Sequence, residues 1–415
     1  MVSAPMRFWK EMIPQRGQAR RLAVLTLTQA IGTSLFLTSG VIFFTKIAGY
    51  SAQSVALTFS VAGLCGFLST VPVGKMADRI GARPLLSGNY AVLGVLFVLY
   101  CLSWNFISFT VVACLIAICE TAGSPLRATL TYGLFGGEAA VRVRSQMRSV
   151  FNLGSLAGSG LAGAALVVGT REAFYVVLLA NAAAQATCAF LTLGFREAHP
   201  RQALRSAAPA MRVSALRDYR FIAVTLASGL LELHSAMLNI AIPLWITVGL
   251  HASGSLQSAV IAINTILVLL LQVRLSRGAD SAMGAARLQR RAGVVLAASC
   301  VLFAATSAVP QGWLPALMIV AAVAVMTIGE IYQAAGSWGI SFELPPPGQQ
   351  GSYQGVFALG RGLQQFLGPA VVTVLVLDIG AGGWLALAAV FVAVGVLSVA
   401  IVRAAGEHGQ EIWTG

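Results

Sequence analysis

Charge is what this chain has least of. Asp, Glu, Lys and Arg make up 10% of its 415 residues, against about a quarter in soluble globular domains. So few charges cannot cover a surface that faces water. The length would suit two or three soluble domains, but the composition excludes them. Acid is scarcer than base, 14 Asp and Glu against 27 Lys and Arg, for a net charge of +13. Long polar stretches are nearly missing too; the one of any length runs from Phe195 to Arg220. The six cysteines (Cys65, Cys101, Cys114, Cys119, Cys188 and Cys300) all lie inside apolar runs. None forms a C-x-x-C pair beside a histidine cluster, so no zinc site is expected and each reads as a small buried hydrophobe. The phosphate-cradling G-x-x-x-x-G-K-[ST] loop is missing, as are H-E-x-x-H and G-x-S-x-G, which argues against an ATP-driven pump and an intramembrane hydrolase. No selectivity-filter sequence suggests a channel, and no extracellular domain suggests a receptor. The chain is not expected to be an enzyme, and no cofactor and no metal are expected.

What is present is apolar. Hydrophobic residues make up 57% of the chain, and the mean hydropathy is +0.82. A hydrocarbon core about 30 Å thick needs about 20 apolar residues per helix. Apolar runs separated by polar breaks then give about twelve spans. In the first half they cover about 22–48, 54–74, 84–104, 106–134, 146–169 and 173–195; in the second, about 221–249, 256–275, 291–309, 312–340, 352–377 and 382–403. The expected fold is an all-α polytopic membrane protein. Its two six-helix bundles cover 1–195 and 221–415, joined by a linker over 196–220. The run after the pair Arg20–Arg21 is too long for a signal-peptide core and has no A-x-A-like end, so it reads as the first span.

Lys and Arg set the orientation. Of the 27, 23 fall in the N-terminal segment, the connections after spans 2, 4 and 8, the central segment and the tail, all on one side. Lys46 and Arg171 fall on the other side, while Arg127 and Arg361 lie within spans. Positive charge stays inside, so both termini are expected in the cytoplasm and the protein in the cell membrane. A basic soluble protein would suggest nucleic acid; here the excess is confined to one set of connections, so membrane lipids are the expected partners and nucleic acid is not.

The two halves echo one another. "GKMADRIGAR" follows span 2 and "SRGADSAMGAAR" follows span 8, placing Asp78 and Asp280 four residues after Gly74 and Ser276, with Gly81 and Gly284 further on. "AICETAGS" in span 4 aligns with "TIGEIYQAAGS" in span 10, setting Glu120 opposite Glu330. Repeats of this kind build many secondary transporters. Over essentially its whole length the chain resembles the major facilitator superfamily. The residues that carry the resemblance are Gly74, Asp78, Arg79, Gly81 and Arg83 in the connection after span 2, with Ala82 standing where the family has a basic residue. The resemblance implies that Gly74 lets two helices approach closely. It implies that Asp78 pairs with a basic residue of the neighbouring bundle, and that the segment is a conformational latch whose Arg79 and Arg83 anchor it.

An ionisable group inside a span costs a few kcal/mol at least and is a functional candidate by default. Here these are Glu120 and Arg127 in span 4, Glu232 and His234 in span 7, Glu330 in span 10 and Arg361 in span 11. In the resembled fold spans 1, 4, 7 and 10 line a central cavity, and each carries a deep polar group: Gln29 with Thr33, Glu120, Glu232 and Glu330. A carboxylate that is alternately wetted and dried can load and release a proton. Glu120 and Arg127, seven apart, share a helix face; Arg361 has two candidate partners, Glu330 and Glu120. His234 ranks below the glutamates. Asn152, Asn181, Asn239 and Asn264 read as hydrogen bonding between helices. Gly154 and Gly158, then Ser159 and Gly163, suit close helix packing. Drug–proton antiporters of the family carry a Gly-Pro pair in span 5 and an Arg in span 4. Here Ser159 and Glu120 stand in those places, and Gly368–Pro369 appears in span 11. The expected activity is proton antiport exporting small amphipathic compounds by a monomer. The alternatives are proton-coupled import of a polar nutrient, or a non-transporting sensor or lipid-handling protein on the same fold.

Overall fold

In hydrocarbon every backbone donor and acceptor must be satisfied within the chain, which leaves helices as the natural form for these apolar runs. The computed structural model describes residues 17–42, 44, 49, 51–102, 105–168, 170–196, 215–246, 254–310, 312–346 and 348–414. Twelve helices follow in order: α1 Gly17–Ile42, α2 Ala52–Ile80, α3 Ala82–Cys101, α4 Phe106–Phe135, α5 Gly137–Val168, α6 Arg171–Leu193, α7 Tyr219–Leu231, α8 Gly254–Leu275, α9 Ala282–Ala305, α10 Trp313–Glu343, α11 Gln350–Thr373 and α12 Ala381–Thr414. Among the described residues there is no strand, and nine helical stretches are long and apolar enough to cross a membrane. The chain is an all-α polytopic membrane protein. Most of the central linker, residues 197–214, lies outside the described residues.

Helix starts follow their capping residues. Ser51, Thr170, Asp218 and Ser281 each accept a bond from a backbone amide of the first turn, and Asn105 with Ser108 closes a capping box at α4. Such side chains satisfy donors that have no partner within the helix.

Helix ends depart from the apolar runs. α2 continues six residues past the expected end at 74, so Lys75, Asp78 and Arg79 ride on its last turns, and Arg83 lies on the first turn of α3. The connection between them is the single residue Gly81, at φ 101°, a conformation that favours glycine. α5 likewise begins at Gly137, taking Arg142, Arg144 and Arg148 into the helix. In the connection between α8 and α9 the positive-φ residue is Gly278, not Gly284, which lies in the first turn of α9. Span 7 is broken. α7 stops at Leu231, and after one helical turn a π-helical turn, Met237–Ala241, runs up to Pro243. Proline removes a ladder bond, and π-turns are a recurrent way to absorb that loss.

The chain forms two compact units. Unit 1 comprises Met1–Gly136, Gln146–Ala208 and Pro347–Gly355. In it α2 packs on α4, and α3 and α1 pack on α6. Gly158 of α5 leaves room for the backbone of Ile31 in α1, where a Cβ would collide, whereas Gly163 faces open space. Unit 2 comprises Gly137–Ser145, Pro209–Pro346 and Val356–Gly415. There α9 packs on α10 and α12, α8 on α10, and α7 on α12. Trp384, Phe303 and Trp245 form an aromatic cluster in its core, with Phe303 and Trp384 stacked at 4.7 Å.

Candidate functional site

Unit 1 holds a polar chain among apolar helices. Gln29 is buried in α1 and donates to Thr33 one turn on, at 3.0 Å. The Thr33 hydroxyl donates to Oε1 of Glu120 in α4 at 3.4 Å. Two turns further along α4, Arg127 donates from Nη1 to the buried Tyr90 hydroxyl of α3 at 3.2 Å. Arg127 does not reach for the near end of its helix. Its guanidinium lies back over Gly123, one turn earlier, where an added Cβ would stand 2.8 Å from Nη1. Helical side chains lean toward the N-terminus of their helix, and here the missing side chain of Gly123 leaves the track. The guanidinium thereby stays on the same helix as Glu120, and the two charges attract one another.

Two of the candidate intramembrane carboxylates, Glu330 and Glu232, belong to unit 2. Glu330 of α10 is 6% exposed, and Asn264 of α8 donates to its Oε2 at 2.8 Å. The same amide donates to Thr327 at 3.0 Å, while the Thr327 hydroxyl donates to the carbonyl of Val323. Because that proton is already used, Thr327 must accept from Asn264, which fixes the amide with its donors toward the carboxylate. Asn264, expected to bond helices together, thus also holds Glu330. Glu232 is the C-cap of α7, at the break in span 7. Its Oε1 pairs with Nε of Arg361 in α11 at 2.8 Å. Arg361 therefore pairs with neither of its expected partners, Glu330 and Glu120; the end of α7 carries Glu232 to it instead. His234, 2% exposed, sits in the same break with Nδ1 bonded to the carbonyl of Leu231 at 2.9 Å.

The segment after span 2 has its own geometry within unit 1. Asp78 accepts from the backbone amides of Gly351 at 2.6 Å and Ser352 at 2.7 Å, and also from the Ser352 hydroxyl. These are unfilled donors of the first turn of α11, the positive end of that helix. The carboxylate thereby caps the start of α11. A Cβ on Gly74 would collide with the Gly351 carbonyl, and one on Gly355 with the carbonyl of Thr70. Arg83 donates to the carbonyl of Leu193 at 2.5 Å and Arg21 donates to that of Gly194, so two guanidiniums cap the C-terminus of α6. Lys75 and Arg79 are exposed.

Residues missed from sequence were Tyr90, Gly123 and Thr327; a lone Tyr, Gly or Thr in a span carries no distinguishing signal. Among the described residues no three His, Cys, Asp or Glu gather as metal ligands.

The model of the Major Facilitator Superfamily matches residues 22–369. The chain belongs to that superfamily. Solved structures of the superfamily fold agree with this membership. The chain is similar to the proton:xylose symporter XylE bound to 6-bromo-6-deoxy-D-glucose, with a TM-score of 0.67 and 10% identity over 91% of this chain and 94% of that one. It is similar to a bacterial homologue of the iron transporter ferroportin in an outward-facing state, with a TM-score of 0.67 and 14% identity over 94% of this chain and 99% of that one. It is similar to the human organic anion transporter MFSD10, with a TM-score of 0.59 and 18% identity over 92% of this chain and 100% of that one. At these identities the likeness is one of fold. No curated protein matches the chain significantly. The superfamily is one of membrane transporters, whose members are generally not enzymes.

Proposed function

We propose that this superfamily member is a proton antiporter that exports small amphipathic compounds, cationic or neutral, as a monomer in the cell membrane with both termini in the cytoplasm. The observation that carries the reading is that in each unit a carboxylate inside a span accepts a hydrogen bond from a neutral donor: half-buried Glu120 from the Thr33 hydroxyl, buried Glu330 from the Asn264 amide. A carboxylate so placed accepts a proton or a cation without rearranging its neighbours. Arg127 and Arg361 are the two basic groups inside spans, which is few for an anion carrier. Asp78, Gly74, Arg79, Gly81 and Arg83 serve as the conformational latch: the carboxylate holds the first turn of α11 and must let go when that turn moves.

The test uses inside-out vesicles with an imposed proton gradient and a pH-sensitive dye. Lipophilic cations are added to wild type, Glu120→Gln and Glu330→Gln. Gln keeps the shape and still accepts from Thr33 or Asn264, so loss of response isolates the charge. Wild type dissipates the gradient on addition of a transported cation, and neither variant does. If labelled compounds accumulate while no compound moves protons, the coupling reading fails. The second reading, import of a polar nutrient by proton symport, is favoured by the hydrogen-bonding groups Gln29, Thr33 and Asn264 around the carboxylates. Proton uptake on adding sugars to right-side-out vesicles would select it.

A further inference from the structure

In unit 2 the arginine-bearing ends of α7, α9 and α12 lie together. α9 packs on α12 and α7, and α12 packs on α7. Arg287, Arg290 and Arg291 of α9 are exposed and spaced three and four apart, so they share one helix face. Val294 and Val301, 53% and 49% exposed, continue that face. In a membrane span exposed valines meet lipid tails, so the guanidiniums stand on a lipid-facing stripe about one turn beyond its last valine. α12 repeats the pattern: Arg403 is exposed beyond Val396 and Leu397, themselves half-exposed. On α7 the exposed Tyr219 lies at the same end. Arg220 stacks on its ring at 5.6 Å and donates to the carbonyl of Ala404 at 2.6 Å, tying α7 to α12.

Among the described residues no hydrogen bond, ion pair or ring contact takes up the side chains of Arg217, Arg287, Arg290, Arg291 or Arg403. This differs from unit 1, where Arg21 and Arg83 are occupied by helix-end carbonyls. Topology requires positive charge on one side, but it does not require three guanidiniums on one lipid-facing stripe.

We infer that this three-helix face binds the headgroup of an anionic phospholipid. The planar fork of arginine matches phosphate oxygens two at a time, and basic surfaces between spans at this level hold acidic lipids. The valine stripes select a lipid over soluble phosphate, because the tails lie along them while the headgroup meets the arginines.

The experiment reconstitutes the purified full chain in nanodiscs of phosphatidylcholine with graded phosphatidylglycerol, re-extracts it gently and counts retained lipids by native mass spectrometry. Wild type retains phosphatidylglycerol over phosphatidylcholine by about tenfold, and Arg287→Gln/Arg290→Gln/Arg291→Gln abolishes that preference. Arg217→Gln/Arg403→Gln, in the turn before α7 and on α12, lowers it by an independent route, so a folding defect in one variant leaves the other to decide. The triple Lys variant retains part, keeping charge and losing the fork. Equal retention by wild type and both Gln variants overturns the inference. Displacement of the lipid by millimolar inorganic phosphate also overturns it, since the site would then read the anion alone.

Discussion

The smallest decisive feature is an absence, the side chain of Gly123. An alanine Cβ there stands 2.8 Å from Arg127 Nη1, the far end of a flexible side chain, so the arginine moves and the helix does not. Gly→Ala inside a helix favours the fold by up to about 1 kcal/mol. Gly123→Ala should therefore leave the unfolding temperature unchanged or raised. It should lower the transport rate about tenfold, the value of one hydrogen bond to a charged group. Tyr90→Phe removes the other end of the same bond. It should give a similar loss, and the double variant should lose little more than either alone. Vesicle flux and a thermal-unfolding scan of the three variants check this; a Gly123→Ala protein with full flux would mean the position of Arg127 is immaterial. The sequence pointed to Arg127 as an intramembrane charge, and also to Glu120, Glu232, Glu330 and Arg361. It did not point to their partners. Glu232 meets Arg361, and Asn264 meets Glu330, across helix pairs far apart in the chain. Which partner an intramembrane charge finds depends on how the helices pack and where α7 breaks, and residue type alone does not encode that.

At the scale of the helix, the sequence located the apolar cores well and the ends poorly. Hydropathy marks where a helix leaves hydrocarbon, and the helix itself continues into water as long as its backbone bonds are made. That is why α2, α5 and α12 outrun their apolar runs, and why the charges of the 75–83 segment lie on helix ends around a one-residue turn. The placement gives Asp78 its role. From the last turn of α2 it reaches two amides of α11 and receives a charge-assisted bond from each. Removing such a cap costs about 0.5–2 kcal/mol. Asp78→Ala should thus speed hydrogen exchange at Gly351 and Ser352 by about tenfold, as 1.4 kcal/mol would. Exchange in α9 and α10 should stay as in wild type. Asp78→Asn, which keeps an acceptor and loses the charge, should fall between. Unaltered exchange at Gly351 in Asp78→Ala would remove the carboxylate from any latch.

Across the twelve spans expected from the sequence, charge is distributed by side rather than by bundle. On the span reading of the sequence, twenty-three of 27 Lys and Arg fall on one side, with Lys46 and Arg171 on the other. A cationic side chain at the centre of a span costs about 2.5–3.5 kcal/mol on insertion scales, and the proposed orientation rests on this bias. The same bias fits the proposed chemistry: a cation leaving the cell moves against the membrane potential, about 2.3 kcal/mol per charge per 100 mV, and an entering proton offsets it. Single cysteines at three exposed sites test the orientation directly. Arg79→Cys and Arg277→Cys lie on the arginine-rich side and Arg171→Cys on the other. The six native cysteines are buried or half-buried, so their background labelling by an impermeant maleimide is small. Arg171→Cys should label in intact cells, and Arg79→Cys and Arg277→Cys only in inside-out vesicles. The reverse pattern would invert the molecule. It would place both termini outside and leave the direction of antiport unchanged, because a proton entering down its gradient drives its exchange partner out whichever way the chain lies; the labelling therefore tests orientation alone, and the vesicle flux tests coupling.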